Sequence, residues 1–171
     1  MKFAYTIAPG RGETNLLLAD IAAQLADRGV RIAGTVQIDS DREDGGKCDM
    51  DVQVLPDGPT IRISQFRGVE ARGCRLDTDA LEQAVALTEQ ALTKGDIDLL
   101  LVNKFGKHEA EGRGFRDAIA MALQADIPVL VGVNKLNRDA FDAFSSGGAE
   151  ELASDAGSVL AWLNGALPEL T

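Results

Sequence analysis

The chain has 171 residues, 45% of them hydrophobic, and a formal net charge of −10 from 17 Lys and Arg against 27 Asp and Glu. Such a carboxylate surplus, with no basic stripe, argues against the partners that clustered Lys and Arg attract, nucleic acid and anionic membrane. A chain of this length buries roughly 70% of its unfolded surface as one domain, 1–171, without staples, so Cys48 and Cys74 are expected as free thiols in a reducing compartment. The apolar opening Met1–Ile7 is too short for a signal peptide, and no run approaches about 18 apolar residues, which points to the cytoplasm.

Lys2–Ala8 reads as a short apolar strand, and Asn15–Asp27 has helical periodicity, with Leu17, Ile21 and Leu25 on one face and Gly29 as a stop. Val30–Ile38 returns as a strand before the polar loop 39–47. Asp51–Leu55 and Thr60–Gln65 flank Pro56-Asp57-Gly58-Pro59 as a β-hairpin, an insertion over about 48–66 between two α/β units. Leu76–Thr93 is an amphipathic helix with Leu81, Val85 and Leu92 inward and Asp77 or Thr78 as cap. Ile97–Val102 is a strand, Phe115–Gln124 a helix, and Ile127–Val133 a strand buried on both faces. Helices over Arg138–Phe144 and Asp155–Leu167 follow, separated by Ser145–Gly148, and Trp162 reads as core or a dimer contact.

This alternation predicts an α/β three-layer sandwich with a mostly parallel central sheet, its ligand crevice beyond the carboxyl ends of the strands. Three polar segments fall there: Pro9–Thr14, Ile38–Asp49 and Asn103–Gly114.

Gly10-Arg11-Gly12-Glu13-Thr14-Asn15, between a strand and a helix, resembles a phosphate-binding loop of the form G-x-x-x-x-G-K-[ST]. Gly12 and Thr14 take the second-glycine and hydroxyl slots, whereas Ile7 stands in the first-glycine slot and Glu13 in the lysine slot. A carboxylate about 4 Å from a phosphate replaces attraction by repulsion of about 4 kcal/mol at an effective dielectric of about 20. Tight triphosphate binding in the usual pose is therefore not expected. The loop reads either as a residual anion site at a helix N-terminus, with Arg11 supplying charge, or as a turn in which Glu13 or Thr14 caps the helix.

Lys104, Lys107, His108, Arg113 and Arg116 concentrate positive charge in this acidic chain and suit an oxyanion or phosphate; the alternative is pairing with Glu109, Glu111 and Asp117. Asn134-Lys135-Leu136-Asn137 resembles the guanine-reading Asn-Lys-x-Asp but lacks its carboxylate. Cys48, Asp49, Asp51, Cys74 and His108 form the candidate metal constellation, in which thiolate and imidazole suit zinc, iron or copper. A lone histidine leaves that ligand set short unless the chain dimerises.

Leu99–Phe115 resembles the second diagnostic stretch of the THEP-type nucleoside triphosphatases, P-loop proteins in which an apolar strand ends in Asp-Glu, then an apolar residue, Gly-Lys and a Met-Glu pair. Gly106, Lys107, Glu109 and Phe115 match in register, while Asn103-Lys104 replaces the acidic pair. In that family the pair is expected to organise magnesium and the attacking water. The hairpin and the stretch Arg28–Val36 share the likeness.

A closer resemblance, carried by Cys48–Asp51, Ile61–Gln65, Arg72–Asp77, Asn103–Lys107 and Glu111–Phe115, is to a bacterial family of degenerate relatives met beside molybdenum-uptake genes. It implies a link to molybdate or molybdenum-cofactor biology. The expectation is binding of an anionic small ligand, a nucleotide or an oxyanion such as molybdate, by Gly10, Arg11, Gly12, Glu13, Thr14, Asn103, Lys104, Gly106, Lys107, His108 and Arg113. One alternative is a slow magnesium-dependent nucleoside triphosphatase, with Lys104 or Lys107 in place of the loop lysine and Glu109 or Glu111 positioning water. Another is a non-catalytic interaction protein of a molybdenum pathway, with magnesium expected only if a nucleotide binds.

Overall fold

The computed structural model describes residues 2–10, 12–40, 49–65 and 75–167. Arg11, Cys48 and Cys74 lie outside them, as does the loop from 41 onward. In chain order the elements are β1 (Phe3–Thr6), α1 (Glu13–Asp27), β2 (Ile32–Ser40), β3 (Asp49–Leu55), β4 (Thr60–Arg62), β5 (Ser64–Gln65), β6 (Arg75–Leu76) and α2 (Thr78–Lys94). There follow β7 (Leu99–Phe105), α3 (Lys107–Ala110), α4 (Arg116–Gln124), β8 (Val129–Val133), a 3-10 turn (Lys135–Asn137), α5 (Arg138–Ser145), β9 (Glu150–Leu152) and α6 (Ala156–Ala166).

Seven strands make one sheet in the order β4-β3-β2-β7-β8-β1-β9. Pairing is parallel from β2 to β9 and antiparallel at β2–β3 and β3–β4. The unbroken apolar runs of β7 and β8 occupy the centre because helices cover both faces there. On one face α2, α4 and α5 bury Leu81, Val85, Ile119 and Phe141 against Leu100, Val102 and Val131. On the other, α1 and α6 bury Leu18, Ile21, Leu25, Val159 and Leu163 against Leu99, Leu101 and Leu130. Fully buried Phe141 meets Phe3, Tyr5 and Phe105 with ring centroids 4.9 to 5.7 Å apart.

Several elements differ from expectation. The β7 strand does not stop at Val102: Asn103 and Lys104 continue it to Phe105 across an irregularity in its pairing with β8. The run Thr60–Gln65 is interrupted at Ile63, whose N–H donates to the Met50 carbonyl at 2.9 Å, after which β5 leaves the main sheet to pair with β6. Of the two caps expected for α2, Asp77 is the one used, accepting from the Ala80 N–H at 3.1 Å. The edge strand β9 was not predicted, because Glu-Glu-Leu carries no apolar signal. It is held to β1 by register and by Tyr5 and Arg138 on the Glu151 carboxylate.

One feature of β2 shapes the crevice. It pairs with β7 only over Ile32–Gly34, then runs on beside β3 as far as Ser40. Gly34, at φ 122°, stands where the two central strands part.

Candidate functional site

The turn between β1 and α1 closes on itself. Gly12, at φ 78°, leads into α1. The Glu13 carboxylate folds back to accept the Gly10 N–H at 3.2 Å, and the Thr14 hydroxyl accepts the Ala8 N–H at 3.2 Å. The loop thus supplies its own anion, at an N–H of the kind that a bound phosphate would use.

Behind it, Asn103 joins three elements. It is 3% exposed. Its Oδ1 accepts the Gln37 N–H at 3.0 Å, and its Nδ2 donates to Asn15 Oδ1 at 2.7 Å. An amide therefore replaces the missing backbone ladder where β2 leaves β7, and ties both strands to α1. Asn15 and Gln37 in turn donate to the two oxygens of Asp39 at 3.1 and 3.0 Å. The resemblance of Leu99–Phe115 to the THEP-type stretch implies a magnesium ion here, and the donor set does not fit one. An amide stands in place of the acidic pair with its oxygen and nitrogen both engaged, and both oxygens of Asp39 already accept from Asn15 and Gln37. Asn103→Leu is expected to leave the Gln37 N–H without an acceptor and to lower unfolding free energy by about 2 kcal/mol, measured by urea denaturation.

The segment Gly106–Phe115 is organised by two carboxylates. Glu109, 3% exposed, accepts the Gly106 N–H at 3.0 Å through one oxygen and the Phe115 N–H at 3.2 Å through the other. Burial raises its pKa above the ordinary carboxylate value, although those N–H groups and His108 pull the other way. Glu82, on α2, takes His108 Nε2 at 2.7 Å and the Gly114 N–H at 3.0 Å through one oxygen. His108 and Glu109 are thus both engaged within the protein, while Lys104, Lys107, Glu111 and Arg113 are exposed. Among the described residues neither Lys104 nor Lys107 has an ion-pair partner.

Where β2 and β7 part, a cavity of about 720 Å³ opens on the α2 side of the sheet. Met50, Val52, Ile63, Leu81 and Phe115 make its apolar wall, and Gln37, Asn103, Asn134 and Asn137 bring amides. Lys104, Gly106, Lys107, His108, Glu109 and Glu111 also line it. It therefore gathers the candidates of the β7 segment except Arg113 and Arg116, and none of the glycine turn, which lies against α1. Composition and motif spacing pointed to the charged rim. The wall was missed because β3, Ile63 and Leu81 read as ordinary alternating core. Glu82 was missed because its partners lie 26 and 32 residues away. A second cavity, about 610 Å³, lies at the opposite strand ends beside Lys2, Val30, Ile97 and Pro128 and holds no candidate residue.

The proposed metal ligands go elsewhere. Asp49 and Asp51 hold Arg62 at 3.5 and 3.0 Å, and His108 holds Glu82. Among the described residues no group of three or more His, Cys, Asp or Glu side chains could hold a metal ion. Nor, among them, is any helix long and apolar enough to cross a membrane.

A mostly parallel sheet with β8 between β1 and β7, covered on both faces and entered by a glycine turn into α1, is a P-loop nucleoside triphosphatase fold. The chain matches the solution structure of a human cancer-related nucleoside triphosphatase with a TM-score of 0.61 at 20% identity, over 88% of this chain and 87% of that one. It matches THEP1 from the hyperthermophile Aquifex aeolicus with a TM-score of 0.61 at 18% identity, over 99% of both chains. The protein belongs to the DUF2478 family, described as a protein of unknown function, whose model matches residues 3–162. It is 38% identical over 152 residues to the molybdenum import ATP-binding protein ModC 2 of Bradyrhizobium diazoefficiens, a match that takes 88% of this chain and 17% of that protein.

Proposed function

We propose that the protein binds a small anionic ligand, a nucleotide or an oxyanion such as molybdate, without efficient hydrolysis, and that it serves molybdenum metabolism in the cytoplasm. The observation that carries this reading is the pair Lys104 and Lys107 on the wall of the β2–β7 cavity, without ion-pair partners among the described residues of a chain whose net charge is −10. In such a protein an unpaired ammonium beside a cavity is a ready counter-charge for an incoming anion. The engagement of Glu13 with Gly10 and of Asn103 with Gln37 and Asn15 counts against a magnesium triphosphate at the glycine turn. Both oxygens of Glu109 lie on backbone N–H groups, which counts against its use in positioning water. The molybdenum connection rests on the relative that shares 38% of its residues over the matched segment.

Calorimetry of the full chain against ATP, GTP, AMP, GMP, molybdate, tungstate and phosphate tests the reading. Binding of at least one, without phosphate release from the triphosphates, is the expected result. No binding by any of them overturns it. Magnesium-dependent phosphate release that disappears in Lys107→Ala would replace it by the triphosphatase alternative.

A further inference from the structure

The cavity is larger and more apolar than an inorganic anion requires. A tetrahedral oxyanion fills only a small part of the 720 Å³ here, and is held by donors that close around it. Cavities of several hundred Å³ with apolar walls and a few placed polar groups are the form that holds an organic molecule. Val52, Ile63, Leu81 and Phe115, each less than a tenth exposed, supply that wall.

The polar groups are placed as such a ligand needs them. Asn134 and Asn137 reach the cavity from the turn after β8. Asn134 uses its Oδ1 on the Leu136 N–H at 2.9 Å. Among the described residues its Nδ2 and the Asn137 side-chain amide make no hydrogen bond. Amides present donor and acceptor together, the combination that reads the edge of a nitrogen heterocycle. Lys104 and Lys107 bring two positive charges to a lining that also carries the Glu111 carboxylate, a balance that suits at most the roughly −1.5 to −2 of one phosphomonoester and falls short of a triphosphate.

Resting on the anion-binding reading above, we propose that the cavity takes a heterocyclic phosphomonoester. Its ring lies against Val52, Ile63, Leu81 and Phe115, its edge faces Asn134 and Asn137, and its phosphate faces Lys104 and Lys107. The glycine turn on the α1 side takes no part.

The test is calorimetry of the full chain with AMP, GMP and riboflavin phosphate, beside the corresponding nucleosides or riboflavin, inorganic phosphate and molybdate. At least one phosphomonoester is expected to bind tenfold or more tightly than both its dephosphorylated form and inorganic phosphate. Lys104→Glu should weaken that binding at least tenfold and Asn137→Leu several-fold. Both positions lie at the cavity rim, and an unchanged melting temperature and circular dichroism spectrum verify that the variants fold. Molybdate or phosphate binding without any phosphomonoester binding overturns this inference and leaves the anion reading standing. Phosphomonoester binding indifferent to both substitutions does the same, since the seat is then elsewhere. Binding of none of these ligands, nor of ATP, GTP or tungstate, overturns both.

Discussion

Replacing Glu109 with alanine is expected to lower the unfolding free energy by about 3 kcal/mol, because two buried N–H groups lose their acceptor and each orphaned group costs about 1–3 kcal/mol. Those donors, on Gly106 and Phe115, bracket the segment that lines the cavity, so the loss falls on the site as well as on stability. Glu109→Gln keeps one oxygen but sets an NH₂ group against the other N–H, and an intermediate loss is expected. The pH dependence separates this from a packing defect. Burial holds the Glu109 carboxyl above its ordinary 4.5, so the native state binds that proton more tightly than the unfolded chain does. The stabilisation linked to it is complete below about 4.5 and is lost as pH rises through the native value. The wild-type advantage over Glu109→Gln should therefore be greatest in acid and shrink as pH rises, measured by urea denaturation across that range. A difference that grows with pH would contradict the buried placement.

Gly34→Ala should cost about 4 kcal/mol or more. At φ 122° the backbone is in a region that side chains with a Cβ rarely enter, a strain of about 1–3 kcal/mol. The added Cβ would also collide with the Leu101 carbonyl oxygen, which is backbone and cannot turn aside. Overpacking of this kind adds about 1–3 kcal/mol. Gly12→Ala is the control: φ is also positive, at 78°, but nothing lies within 4 Å of its Cβ position. It should lose only about 1–2 kcal/mol. Equal losses at the two glycines would mean that the Leu101 carbonyl does not press against Gly34.

Much of the layer architecture was legible because apolar periodicity reports directly on burial. Ile21 and Leu25 are buried on their expected face of α1, with Leu18 rather than Leu17 completing it, and the run Ile127–Val133 contains the strand Val129–Val133, buried throughout. The hairpin turn Pro56–Pro59 was legible from its own residues. Elements held by distant partners were not. The short helix α3 consists of Lys-His-Glu-Ala, and its side chains find their partners in Glu82 and in the N–H groups of Gly106 and Phe115. The edge strand β9 depends on Tyr5 and Arg138. At the site, the charged residues of the β7 segment stood out, whereas Glu13 and Thr14, read as alternative caps of α1, turn back onto the Gly10 and Ala8 N–H groups, and among the described residues no side chain caps that helix. Which charges were spent inside the protein and which remained free at the cavity could not be read from order along the chain. His108 and Glu109 proved to be anchors, and Lys104 and Lys107 did not.

The bridge from Asn15 through Asn103 to the backbone of Gln37 has a mechanical consequence. Amides do not titrate, and both ends of this one are engaged, so the tie between α1, β2 and β7 does not loosen with pH through this side chain. The facing wall of the cavity, Gly106–Phe115, is anchored as well, with the Glu109 carboxylate on the N–H groups at its two ends. A ligand would therefore enter between two walls that are already set.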